Sequence, residues 1–362
     1  MKTASILLFV SLGLILASIQ GASAQTVAVG NCRTHLVSYP TVSAAVATAA
    51  PNSTVLVCPG TYAEQITITT PMTLEGVKDA TGAYPIIAVP SGGVSAGNSN
   101  QVFVQGDFDQ PQQYNISNLV IDGSNSGFDC SSGGNLVGLA YENGDGTLTN
   151  LAVRNQSPGG CGIGVYLSGG NFQSNAVTLQ NLDIRDFDYE GIVASSSGAS
   201  GFLVNVNSSW AVSHSPSVQA GIEYSFAQGL VSQNIIVVPS GQTGLQLDNF
   251  YPGMTARGNS IVGGQIGIAS GIGFPTTVIT HNTVSNNGIG IQISGFTGNA
   301  LVSWNTINLS SEAAIDLQCG PLDSVKNNTI FNTPIGVANV GGGDKLAQNS
   351  FSGVPTLTTV CP

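Results

Sequence analysis

Residues 279–294 read ITHNTVSNNGIGIQIS, and the spacing of their side chains decides the architecture. Asn282 is followed two positions later by Val284, and after a short polar corner comes Gly288-Ile289-Gly290-Ile291. Both signatures recur along the chain. The first column runs Leu119, Leu151, Leu182, Trp210, Ile235, Asn259, Asn282, Asn305, Asn328 and Asn349, at intervals that shrink from 32 to 21 residues. An apolar residue follows two positions after each member, as Ile121, Val153, Ile184, Val212, Val237 and Ile307 do. A second column of Gly followed by Ile or Leu starts at Gly138, Gly162, Gly191, Gly221, Gly244 and Gly288. Periods of about 20 to 50 residues belong to stacked units, none of which buries its apolar face alone. Apolar residues two apart mark short strands with alternate side chains pointing inward. Joined by Gly, Asn and Ser corners, such strands predict an all-β parallel solenoid. About ten coils at roughly 4.8 Å each give a rod on the order of 50 Å long.

Composition agrees. The 362 residues include 47 Gly and only 7% charged residues, which suits tight corners and disfavours long helices. One continuous core is expected to make residues 25–362 a single domain, with the cap and first coils in 25–75 and regular repeats over 116–353. Lys2, the apolar run Ile6–Leu16 and Ala22-Ser23-Ala24 form the pattern of a signal peptide over residues 1–24. That run is too short to span a bilayer, and no other stretch is long enough. A secreted protein, extracellular or periplasmic, is therefore expected. The net charge of −11 argues against nucleic acid and anionic membranes as partners.

Six cysteines fit an oxidising compartment. Cys130 and Cys161 are 31 residues apart, one local coil, so they should lie on adjacent rungs. Cys32 and Cys58 flank the N-terminal cap, and Cys319 and Cys361 remain to pin the C-terminal tail. Residues 39–51, YPTVSAAVATAAP, hold a short helix suited to covering the open end of the solenoid, with Pro40 at its first position and Val42 and Val46 on one face. In the C-terminal half the first column changes to Asn. Inward Asn must be satisfied, and a ladder bonding each amide to the next rung does this. The segment Asp122–Val137 is a long insertion between coils, and such insertions often carry binding.

Residues 39–76, YPTVSAAVATAAPNSTVLVCPGTYAEQITITTPMTLEG, resemble the opening of the pectin-lyase-like superfamily, particularly pectinesterases. Residues 279–294 and 325–340 are similar to that superfamily's β-helix repeats, so the resemblance implies a right-handed parallel β-helix. The motif shared with pectinesterases is Gly60-x-Tyr62-x-Glu64, in which Tyr62 and Glu64 can tie the next strand to the cap. The catalytic strings that the resemblance would bring are missing. There is no QDT, DFIFG or GRPW of pectinesterases, no NTD, GHG or RIK of polygalacturonases, and no RxPxxR context around any of the four Arg. A fold shared by many chemistries does not name one.

Candidate sites come from acids and aromatics expected on the outside. Stacking the Gly columns places Glu142, Tyr166, Ser195, Ser225 and Asp248 in one outward row, with Glu223 in the row beside it. Glu223 and Asp248 are then diagonal neighbours on adjacent rungs, suited to acid and base roles in cleaving a sugar polymer. Glu142, Tyr166, Tyr189 and Glu190 are the expected substrate-binding residues. Asp186 and Asp188, alternating in the corner before Gly191, could hold calcium, the one cofactor this pattern accommodates. The expected function is binding or processing of extracellular polysaccharide by a monomer, as a lyase or glycoside hydrolase if a bond is cleaved. A non-catalytic, adhesion-type solenoid is the alternative.

Overall fold

In the computed structural model, residues 23–94, 99–107, 110, 112–169, 176–196, 202–248, 253–271, 277–294, 299–320 and 322–362 are described. The expected signal peptide lies outside them, apart from its last residues. Three parallel sheets run side by side along the coil axis, with 14, 12 and 12 strands among the described residues. Each turn of the chain contributes one strand to the first sheet, one to the second and one to the third. The turn Ser53–Val57, Thr61–Ala63 and Ile66–Ile68 is already complete, so regular coils set in well before Ile116. This is a right-handed parallel β-helix. Past the N-terminal cap, the described strands find their partners one coil away, as Ile307 does with Val284 and Ile330.

Inside, like stacks on like. Ile261, Val284, Ile307 and Ile330 form one column with no solvent exposure. Beside it the amides form the expected ladder. Asn305 Oδ1 accepts from the backbone N–H of Asn282 (2.9 Å) and from Asn282 Nδ2 (3.0 Å). Asn305 Nδ2 donates in turn to Asn328 Oδ1 (3.0 Å) and to the carbonyl of Ile279 (2.9 Å). Asn259, Asn282, Asn305 and Asn328 thus each use both oxygen lone pairs and both amide N–H groups. The residue before each Asn turns the corner in the left-handed region, as His281 and Trp304 do at φ 57°.

Two rungs differ from the sequence expectation by one residue. Trp210 and Ile235 are 43% and 40% exposed, and the inward places belong to Ser209 and Asn234. Ala211 and Ile236 accordingly fill the apolar column instead of Val212 and Val237. The ladder decides this: Asn234 Oδ1 accepts from the N–H of Ser209, and Asn234 donates to Asn259 Oδ1. A buried hydrogen-bonded amide thus outranks a bulky apolar side chain left at the surface.

The glycine column also shifts at two rungs, with Gly164 and Gly290 aligned on Gly191 and Gly221 in place of Gly162 and Gly288. These glycines sit where the third sheet crosses close to the second. A Cβ on Gly221 would lie 2.5 Å from Ile236 Cγ2 and 2.8 Å from the carbonyl oxygen of Gly244, inside contact distance.

Both ends are secured. The helix Val42–Thr48 covers the N-terminal end with Val42, Ala45 and Val46 buried. It starts later than Pro40 because Thr41 is its N-cap, accepting from Ala44 N–H. Glu64 completes that cap, its carboxylate accepting from the N–H groups of Val42 and Ser43 (both 2.9 Å). Tyr62 donates to the Cys58 carbonyl (2.9 Å), so the Gly60-x-Tyr62-x-Glu64 motif fastens the cap to the first coil. The disulfides are Cys32–Cys58, Cys130–Cys161 and Cys319–Cys361, as expected. Among the described residues no helix is long and apolar enough to cross a membrane.

Candidate functional site

The acids and tyrosines singled out in the sequence converge on the outer face of the third sheet, along the strands Leu136–Glu142, Gly162–Gly169, Glu190–Ser196, Ala220–Ser225 and Thr243–Asp248. Alternation puts Ile192, Ala194, Ile222 and Tyr224 into the core and leaves Val193, Glu223 and Gln246 outside. One outward row therefore reads Ala140, Tyr166, Val193, Glu223, Gln246, and the next reads Glu142, Ser168, Ser195, Ser225, Asp248. Tyr166 thus belongs to the row of Glu223 and not to that of Glu142. The two-residue glycine shift moves it there.

The face has two halves. Toward the N-terminal coils, Val137, Ala140, Ile163 and Val193 form a buried apolar group on the outer side, with Phe103, Tyr166 and Tyr189 packed against it. Toward the C-terminal coils lie the carboxyls. Glu190 is buried, and its carboxyl shares a hydrogen bond with that of Glu223 on the next rung. Burial, then this bond and the charge of Glu223, push the Glu190 carboxyl far above the ordinary carboxylate range. Burial also raises Glu223, whose bond to Glu190 works the other way while the charge of Asp248 adds to the rise. Two carboxyls this close hold a proton between them. Glu223 Oε2 is shut off from solvent and is bonded by no amide, hydroxyl or cationic group.

Asp248 lies one rung beyond Glu223 and two residues along, the diagonal expected from the sequence. Gln246, which the sequence reading missed, donates to Asp248 Oδ2 (2.5 Å) from the same strand. Its position two residues before Asp248, on the same face, was the available signal. Glu142 is half-buried two rungs before the carboxyl pair, and burial raises its carboxyl. Burial, followed by the charges of Glu190 and Glu223, raises the Tyr189 phenol.

The calcium expectation for Asp186 and Asp188 meets a different arrangement. Asp188 is buried, and its oxygens accept from the N–H groups of Gly159 (2.6 Å), Gly160 (2.7 Å) and Gly162 (2.6 Å). It shapes the loop below it. Asp186 turns a corner at φ 55°, its carbonyl accepting from the Ser157 hydroxyl. Among the described residues no three acidic, His or Cys side chains gather as a metal would require. The insertion Asp122–Val137 runs from the second sheet to the third, where Leu136 and Val137 open a strand. Its residues Asp122, Ser124 and Asn125 line a cleft of about 360 Å³ with Thr61, Ile86 and Pro90.

No family model matches the chain, and no curated protein matches it. Solved structures do. The A-module of the Azotobacter vinelandii mannuronan C-5 epimerase AlgE4 superposes with a TM-score of 0.60 at 14% identity, over 85% of this chain and 89% of that one. The AlgE6 A-module of the same organism gives 0.54 at 15% identity, over 89% and 94%. The Dettilon tailspike protein gives 0.55 at 13% identity, over 83% of this chain and 62% of its own. At these identities the likeness is one of fold: the chain is a right-handed parallel β-helix.

Proposed function

We propose that this is a secreted protein, extracellular or periplasmic, that binds and processes a polysaccharide along the outer face of its third sheet. The observation that carries the reading is the proton-sharing pair Glu190–Glu223 beside Asp248, next to an apolar and aromatic wall on the same open sheet. Sugar rings present apolar faces that pack on side chains such as Tyr166 and Tyr189, and glycosidic bonds break under paired carboxyl groups. In this reading Glu223 delivers to the glycosidic oxygen the proton that it shares with Glu190. Asp248, oriented by Gln246, is the second carboxyl. Three disulfides fit the compartment. The structural relatives named above include two mannuronan epimerase modules, which adds weight to a carbohydrate role.

The test is a panel of neutral, acidic and amino-bearing polysaccharides, followed by binding, by new reducing ends and by ultraviolet-absorbing unsaturated products. Glu223→Gln with Asp248→Asn should abolish binding or turnover while the melting temperature holds. Activity that survives the double change moves the site elsewhere. Binding without either product would favour the non-catalytic solenoid, a reading that the missing pectinase motifs also support.

A further inference from the structure

The chain's two tryptophans are both exposed, and both stand along one edge of the rod, where the first sheet turns into the second. Trp210 opens the second-sheet strand Trp210–Val212, and Trp304 occupies the corner between Leu301–Ser303 and Thr306–Asn308. Four rungs separate them, about 19 Å along the axis at roughly 4.8 Å per rung. At this corner other rungs place Asn181, Ser208, Gln233, Gly258, Asn327 and Gln348, each turning in the left-handed region. Trp304 makes the same turn at φ 57°, a conformation that suits Asn or Gly far better than a bulky ring. It is also 56% exposed, so the core gains little from it. Each indole is braced by a neighbour. The His281 ring lies 6.2 Å from that of Trp304 with 17° between their planes, and the Arg185 guanidinium lies 5.3 Å from that of Trp210.

Cations bracket the His281–Trp304 pair. First-sheet strands end in Arg257, Thr280, Ser303 and Lys326 on successive rungs, so Arg257 precedes His281 by one rung and Lys326 follows Trp304 by one. Among the described residues neither cation forms an ion pair, whereas Arg154 and Arg185 are met by Asp122 and Asp183. The acids of these coils, Glu312, Asp316 and Asp323, belong to the third sheet and the turns leading into and out of it.

We propose that this edge is a second glycan-binding track, whose ligand is a uronate polysaccharide with sugar rings packed on Trp304 and Trp210 and carboxylates paired with Arg257 and Lys326. An indole offers a wide, rigid apolar surface, and a guanidinium a fork matched to a carboxylate. Such side chains dominate binding energy at interfaces. A ligand carboxylate would meet Arg257 as Asp122 and Asp183 meet the other two guanidiniums. A neutral glycan would use the rings and leave both cations without partners. The acids of the third sheet act across the coil, where salt screens charge over about 8 Å. Binding here needs no bond to be cleaved on the third sheet.

The probe is a galacturonate hexamer, compared with its fully methyl-esterified form, which keeps the rings and loses the charge, and with a sulfated galactan hexamer. Tryptophan emission of the full protein follows the titration, because both indoles stand on the track and none on the third sheet. The galacturonate hexamer should shift the emission saturably and bind at least roughly tenfold tighter than the ester, with an affinity that falls as salt rises. Trp304→Asn installs the residue that neighbouring rungs use at this corner. It should hold or raise the melting temperature while weakening binding, read by calorimetry, at least roughly tenfold. Arg257→Gln with Lys326→Gln should erase the difference between acid and ester. Arg33→Gln removes the same charge from an exposed site near the N-terminal cap and should leave that difference intact. Equal affinity for the ester, or tighter binding of the sulfated hexamer, would overturn the carboxylate assignment. Binding that leaves the emission unchanged and survives Trp304→Asn would remove the track, as would no binding at all. The polysaccharide panel with Glu223→Gln and Asp248→Asn judges the third-sheet reading separately.

Discussion

Asn305, inside the coil, accepts two hydrogen bonds and donates two. Glu223, on the outer face of the third sheet, has an oxygen shut off from solvent that no amide, hydroxyl or cation bonds. Both belong to polar columns that climb the rod rung by rung, yet one is complete in itself and the other is not. The second sheet follows the interior in this respect. Burial pushes Asp122 up, but bonds from Ser124, Asn155 and Arg154 outweigh it and hold the carboxyl at about 2. Glu142, Glu190 and Glu223 are pushed the opposite way. A self-satisfied array stabilises the native state. An array that leaves charge uncompensated costs stability, and such a cost is typical where a ligand completes the site.

The contrast can be tested in order of expected effect. Ile307→Ala, in the apolar column beside the ladder, should lower the unfolding free energy by about 2 to 5 kcal/mol in denaturant titrations, through the cavity it leaves. Asn305→Leu should cost about 1 to 3 kcal/mol. It strands the backbone N–H of Asn282 and one N–H of its Nδ2, and it takes one bond each from the Ile279 carbonyl and from Asn328 Oδ1, which keeps only the backbone N–H of residue 305. If Asn305→Leu unfolds like the parent, the inner column is not the stabilising array described here.

The outer column should respond with the opposite sign and more weakly. Glu190 keeps a proton in the folded state that the unfolded chain releases above the ordinary value of 4.5. The unfolded state then binds fewer protons, so the contribution of this group makes stability fall as pH rises from that value through neutrality. Glu190→Gln should flatten the decline, leaving the mutant relatively more stable at the alkaline end. Identical pH profiles for parent and mutant would mean that the outer pair is as well satisfied as the inner amides.

How much of this was legible in the sequence follows from the same physics. The coil repeat, the inward Asn282, Asn305 and Asn328, and the three disulfides could be read because a parallel stack repeats one demand at every rung. Misreadings arose where two side chains compete for one inward place. At Ser209-Trp210 and Asn234-Ile235 hydrophobicity favours the second residue, and only the amide ladder, a contact 25 residues away, favours the first. Likewise Gly162-Ile163-Gly164 offers two glycines, and which of them fits depends on Ile184 Cγ2, which would lie 2.4 Å from a Cβ on Gly164. That one slip moved Tyr166 into the wrong row. Glu223 and Asp248 were paired from rung spacing alone, whereas the closer union of Glu190 with Glu223 crosses rungs at an offset of three residues. Strand alternation cannot foretell such an offset.

The two secured ends also determine how the rod can come apart. A stack in which each layer touches only its neighbours unravels from its ends, like a zip. At the N-terminal end the slider is blocked by the helix Val42–Thr48, which Glu64 clamps to the first coil. At the other end the last strand, Thr356–Val360, is largely exposed and pairs on one side only. The Cys319–Cys361 bond staples its end to the chain that follows Ala313–Asp316, two strands back in the same sheet. Cutting that staple with a reductant should therefore give disassembly a direction. Limited proteolysis would trim the chain coil by coil from the C-terminal end, leaving a nested series of shorter rods that still carry the carboxyl face.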